Sequence, residues 1–190
     1  MTVIAALLLG ACSRTVQWEE EVPLNTGETI WVKKTVNYTL RGGAGNPFDI
    51  AYRPDWVEKL SFEWSGKKYV YEGDARVILL AISPQKQPVL VAPAADSSWQ
   101  WKHDYKCTMP FYVQLVPDSA NNTWTWPPAI EPWLFGLSHN LMRTRNPPSQ
   151  MPARVTALIR NSEDKAGSMQ TPSQAKIDPT YKTDSCIKGK

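Results

Sequence analysis

Glu28-Thr-Ile-Trp-Val-Lys-Lys-Thr-Val-Asn-Tyr-Thr-Leu40 is the stretch on which the fold class turns. In an extended chain Ile30, Val32, Val36, Tyr38 and Leu40 fall on one side and Thr29, Lys33, Thr35, Asn37 and Thr39 on the other. That period of two is the signature of a half-buried β-strand. The three glycines and the proline of Gly42-Gly43-Ala-Gly45-Asn-Pro47 are expected to end it. Upstream, Val16, Trp18 and Val22 keep the even spacing, and Asn25-Thr-Gly27 lies between the two stretches, which predicts a hairpin across Leu24 to Glu28. Downstream, Leu60, Phe62 and Trp64 alternate with Ser61, Glu63 and Ser65. Ser65-Gly66-Lys67 then turns the chain into Lys68-Tyr-Val-Tyr71, a second hairpin.

Arg76-Val-Ile-Leu-Leu-Ala-Ile82 is a continuous apolar run between Asp74 and Pro84, short enough for a strand buried on both faces, although periodicity alone leaves a helix open. Pro88-Val-Leu-Val-Ala92 and Phe111-Tyr-Val-Gln-Leu-Val116 follow in the same style, and Ala153-Arg-Val-Thr-Ala-Leu-Ile159 reads as one more strand or a short helix. Seven or so strands joined by turns predict a mainly β fold, a small antiparallel sandwich or partly open barrel. Sixteen prolines and nine tryptophans in 190 residues fit strands and loops better than helices. The segment Asn121 to Gly136 holds three Trp and three Pro, and should be an ordered loop that packs its own aromatics. From Asn161 to Lys190 the chain has too few large apolar residues to bury a core and reads as a polar, mobile tail. The β-rich domain is therefore placed at residues 12–160, with no internal repeat.

The N-terminus, MTVIAALLLGACSR, is too short to span a bilayer, since about 20 apolar residues are needed. Its apolar run followed by small residues fits a secretory signal, with a buried core helix or an interfacial helix as the competing reading. Leu9-Gly10-Ala11-Cys12 resembles the lipobox of bacterial lipoproteins. Met1 to Ala11 carries no Lys or Arg ahead of the apolar run, which departs from that family's pattern. The resemblance implies removal of residues 1–11, a diacylglycerol on the Cys12 thiol and an acyl chain on its new amino group. Two or more chains hold a protein stably on a membrane, where one gives only marginal binding. Ser13 after the cysteine resembles the version that Gram-negative cells sort to the outer membrane, so the resemblance implies a lipid-anchored protein facing the periplasm.

A net charge of +3 is too small for a nucleic-acid-binding protein. With Cys12 lipidated, Cys107 and Cys186 remain as an even pair in an oxidising compartment, the alternative being two free thiols. A bridge between them would close a loop of about 80 residues and contribute ~4 kcal/mol by chain entropy. Two cysteines with His103 nearby are too few for structural zinc, and no metal or cofactor is expected.

Trp99 with Trp101 and Trp124 with Trp126 are each spaced by two, so each pair falls on one side of an extended chain. Exposed, such pairs would make stacking platforms for a glycan, with Asp96, Gln100, Asp104 and Asn122 to bind hydroxyls; buried, they are core. His103 and Cys107, four residues apart, could in principle serve as base and nucleophile, a role that would be incompatible with a disulfide at Cys107. Glu58, Glu63 and Glu72 supply acidic groups of the kind a glycosidase pairs, as do many chains with 18 acidic residues. His139 has no ligand-type neighbour in sequence, and Gly42-Gly43-Ala-Gly45 lacks the Lys and helix of a phosphate loop. The expectation is a non-enzymatic envelope lipoprotein whose β domain contacts another envelope component. A glycan- or peptidoglycan-binding module is the alternative, and a hydrolase the third choice.

Overall fold

The computed structural model describes residues 13–43, 46–94, 110–118, 123–142, 152–159 and 176–181, which form nine β-strands and a one-turn 3-10 helix. Strands β1 (Ser13–Pro23), β2 (Thr29–Gly43), β3 (Asn46–Trp64) and β4 (Lys67–Gly73) form an antiparallel meander. A two-residue strand, β9 (Arg154–Val155), joins its β1 edge in parallel. Strands β5 (Leu79–Ile82), β6 (Pro88–Pro93), β7 (Tyr112–Asp118) and β8 (Thr123–Thr125) form a second antiparallel meander. The two sheets, in orders β4-β3-β2-β1-β9 and β5-β6-β7-β8, stack as a sandwich and do not close into a barrel.

Both predicted hairpins form. Gly27, at φ +89°, lets its N–H reach Leu24 O (3.0 Å) between β1 and β2. Ser65 and Gly66 both take positive φ (50° and 73°), the primed turn that matches the twist of paired strands. The apolar faces seen in the sequence then meet across the sandwich: Val22, Val32, Leu60 and Phe62 of the first sheet pack on Leu80, Leu90, Val113 and Leu115 of the second. The short run at residues 79–82 is buried on both faces, as its unbroken apolar character predicts.

The outer face of the second sheet is covered too. Ile130, Leu134 and Ile177 bury against Ile78, Leu79, Val89 and Val91. Thus the Trp/Pro-rich loop is ordered, but it packs on the sheet more than on its own rings. The same packing corrects the expected mobile tail at residues 176–181. Ile177 is buried, its N–H and C=O bond to Leu137 O and Gly136 N (both 2.9 Å), and Tyr181 O accepts from Phe111 N at 2.8 Å. One isoleucine and one tyrosine suffice because the loop has already built the groove they fill.

The glycines end β2 at Gly43 as expected, but Pro47 of the same stretch lies within a new strand, β3, which resumes at Asn46. Only residues 44–45 separate β2 from β3, and β3 runs through Pro47 and Pro54. β4 ends at Gly73, opposite Glu58, so β3 beyond that point has a neighbour on one side only. A missing N–H is tolerated on such an edge, and Pro54 sits beside a register shift between Val36 and Tyr38.

The open edge of β5 is sealed by two asparagine amides. Asn140 Oδ1 accepts from Leu80 N (2.9 Å) and its Nδ2 donates to Leu80 O (2.7 Å). Asn25 does the same with Ile82 N (2.7 Å) and Ile82 O (2.9 Å). Each carboxamide stands in for a peptide unit of a missing neighbour strand, removing the template for edge-to-edge pairing. Among the described residues no helix is long and apolar enough to cross a membrane.

Candidate functional site

The first sheet is longer than the second, and its inner face at the Ser13 end needs other cover. Val16, Trp18, Val36 and Tyr38 are covered there by Met142, Val155, Tyr52 and Ile159. Beneath this cover lies a buried set of charges. Lys34 Nζ is 3.2 Å from Glu58 Oε2 and donates to Met142 O at 2.9 Å. Glu58 Oε1 accepts from Val77 N (2.7 Å). Glu20 accepts from Trp18 Nε1 (3.3 Å) and Met142 N (2.8 Å). All three ionisable residues are buried, so their charges are compensated by one another and by backbone dipoles, as buried charges must be. The pattern ties β1, β2 and β3 to the entry of β5 and to the Leu141–Met142 segment. Tyr38 lies beside it, fully buried, its hydroxyl without a hydrogen-bond partner among the described residues. Burial pushes its pKa up to about 12, with the positive charge of Arg76 pulling the other way.

Lys34 and Glu58 are chemically prominent, and neither was picked out as a pair. The signal was present: Lys34 occupies an inward parity of residues 28–40, between Val32 and Val36. A lysine at an inward position of a strand requires a carboxylate, but which one is set by the register with β3.

Past the buried charges the same face runs out onto a two-stranded arm. β1 starts at Ser13, opposite Thr39, while β2 continues to Gly43 and turns back into β3. On that arm Leu40 pairs with Tyr52 and Gly42 with Ile50. Leu40 is 40% and Ile50 61% exposed, so the apolar stripe continues where the core stops. The opposite face is polar: Asp55 accepts from Thr39 Oγ1 (2.7 Å) and pairs with Arg41.

Trp124 does not offer a free stacking face. It is half-buried, edge-on to Tyr71 (6.2 Å) and tilted against Tyr69 (6.4 Å), and its Nε1–H donates to Val70 O at 2.7 Å. The ring thereby joins β8 to the β4 edge, and Trp126, 42% exposed, lies beyond the end of β8. The acidic trio divides between faces. Glu58 points inward, Glu72 pairs with Lys59 on the outer face (2.9 Å), and exposed Glu63 lies four residues along β3 from Lys59, about 13 Å at strand rise. The outer face does carry a shallow groove of about 440 Å³ along Glu19, Trp31, Lys33, Ser61, Glu63 and Lys68. Its Trp31 ring lies under the Arg154 guanidinium at 4.8 Å, and Arg154 bonds Glu19 at 3.0 Å.

Among the described residues no three metal-ligating side chains cluster. His139 is half-buried in the loop that carries Asn140. Cys12, Asp96, Trp99, Gln100, Trp101, His103, Asp104, Cys107, Asn122 and Cys186 lie outside the described residues. Compared with protein-family models, with curated proteins and with solved structures, the chain matches none.

Proposed function

We propose that this chain is a lipid-anchored envelope lipoprotein of a Gram-negative outer membrane, facing the periplasm, whose sandwich contacts another envelope component and performs no catalysis. The observation that carries the reading is the apolar run ending in Leu9-Gly10-Ala11-Cys12 directly ahead of Ser13, where β1 begins. A processed chain would have its lipid attached with no spacer to the first strand. The proposed Cys107–Cys186 bridge draws support from the Phe111 N to Tyr181 O hydrogen bond, which lies four residues from one cysteine and five from the other. The glycan-binding alternative has less to rest on, because Trp124 is committed to packing.

Intact mass of protein extracted from the native envelope, with and without reduction and alkylation, tests the reading. A chain beginning at Cys12 with added acyl mass, whose two other cysteines alkylate only after reduction, is the expected result. An unprocessed chain from Met1 with three reactive thiols would overturn both the anchor and the bridge.

A further inference from the structure

Among the described residues the arm at the Ser13 end exposes Leu40 and Ile50 on one face, and the anchor says what lies next to it. We propose that the Leu40 and Ile50 face of the β2–β3 arm rests on the phospholipid bilayer that holds the lipid on Cys12; this builds on the lipoprotein reading. Consecutive Cα atoms are about 3.8 Å apart, so a lipid on the residue before Ser13 starts within one residue of the Thr39 and Leu40 level. Ile50, opposite Gly42, lies three residues beyond Thr39, about 10 Å at strand rise.

No residue separates Cys12 from the strand that pairs with the arm, so a partner protein would have to wedge between arm and membrane to take the face instead. Arg14, exposed at this end and opposite Tyr38, is within reach of lipid phosphates, whereas Arg41 and Arg53 lie on the opposite, polar face. A single arginine on that side is a small charge, so apolar contact rather than net charge carries the docking. The arm thus fixes the tilt of the sandwich: its far end, with the Ser65–Gly66 turn, points away from the membrane.

The test uses the full lipidated protein in vesicles of phosphatidylethanolamine and phosphatidylglycerol, with a photoreactive benzoylphenylalanine at Ile50, at Leu40, or at Val70. Val70 is 37% exposed on β4, level with Lys33 and hence six residues from the Thr39 level, about 20 Å away. All three positions are exposed, and the two arm sites serve as independent readings should one variant fold poorly. About tenfold more phospholipid adduct at Ile50 and Leu40 than at Val70 is expected, the contrast between an interfacial and a distal site. Intact mass of the same samples reports the acyl groups on Cys12. Acylated protein with no more adduct on the arm than at Val70 would overturn the arm's docking and leave the anchor standing. In native envelopes, arm adducts to a protein without lipid adducts would overturn it as well. Protein without acyl mass would overturn the anchor itself, and the docking with it.

Discussion

Replacing Lys34 by methionine removes the cation that lies against Glu58 in the buried cluster while keeping most of the side-chain volume. The Lys34 and Glu58 side chains are 1% and 6% exposed, and their atoms approach to 3.2 Å. Without Lys34, Glu58 loses its ion-pair partner while still accepting from Val77 N, and Met142 O loses the lysine donor. Breaking a buried pair by deleting one member costs about 3 to 5 kcal/mol, because the other charge stays buried and uncompensated. In a domain of this size about 2 to 4 °C of melting temperature goes with each kcal/mol, so a fall of ~6 to 20 °C is expected. Glu58→Gln alone should also destabilise, since it leaves Lys34 unpaired. In the double variant Lys34→Met/Glu58→Gln the glutamine carbonyl still accepts from Val77 N and no lone charge remains at that spot. The double should therefore recover about 2 kcal/mol or more relative to the sum of the singles. Urea unfolding followed by circular dichroism measures all four forms, with an unchanged slope certifying that the comparison is one of stability. A Lys34→Met variant within ~1 kcal/mol of the parent, or singles that simply add, would refute a buried, interacting charge pair.

Three further outcomes follow from individual side chains. Asn140→Ala leaves Leu80 N–H, Leu80 C=O and Pro23 C=O without their bonds and should cost about 2 to 4 kcal/mol. It also opens the β5 edge, which light scattering would report as association. Tyr38→Phe removes a buried hydroxyl without a partner and should be neutral to stabilising at neutral pH. Because the folded pKa of about 12 exceeds the ordinary 10.0, the parent loses stability as pH rises through that window, and at pH ~11 the phenylalanine form should gain a further ~1 kcal/mol. Equal urea midpoints at alkaline pH would contradict this. Asp178 accepts from Thr180 N (2.8 Å) and Thr180 Oγ1 (2.7 Å), which holds its carboxyl below 3.8. Its contribution is present above the ordinary carboxylate range and fades as pH falls, so a carboxyl NMR titration with a midpoint at or above 3.8 would rule out the turn as described.

The chain's order along each strand was legible before any packing was considered. Side-chain parity alone placed Ile30, Val32, Val36 and Tyr38 on one face, and turn chemistry placed Gly27 and Ser65-Gly66 between strands. The proposed lipobox likewise rests on four consecutive residues, Leu9-Gly10-Ala11-Cys12. No local rule shows that β3 continues through Pro47 and Pro54; among the described residues the early stop of β4 makes that stretch an edge that tolerates them. Nor does any local rule tell that Ile177 fills a groove built by the loop around Leu134, because that contact crosses more than forty residues.

Sequence by itself determined most of the strands, their faces and the two hairpins, all set by neighbours one to five residues apart through backbone geometry and turn stereochemistry. Tertiary structure decided which charges meet and where the apolar stripe goes uncovered. Lys34 finds Glu58, Glu20 finds Met142 N, and Leu40 and Ile50 emerge beyond the cover of Met142 and Ile159. Those outcomes depend on register and on the unequal lengths of the two sheets, which are fixed only when the whole chain minimises its exposed apolar area and leaves no buried charge alone.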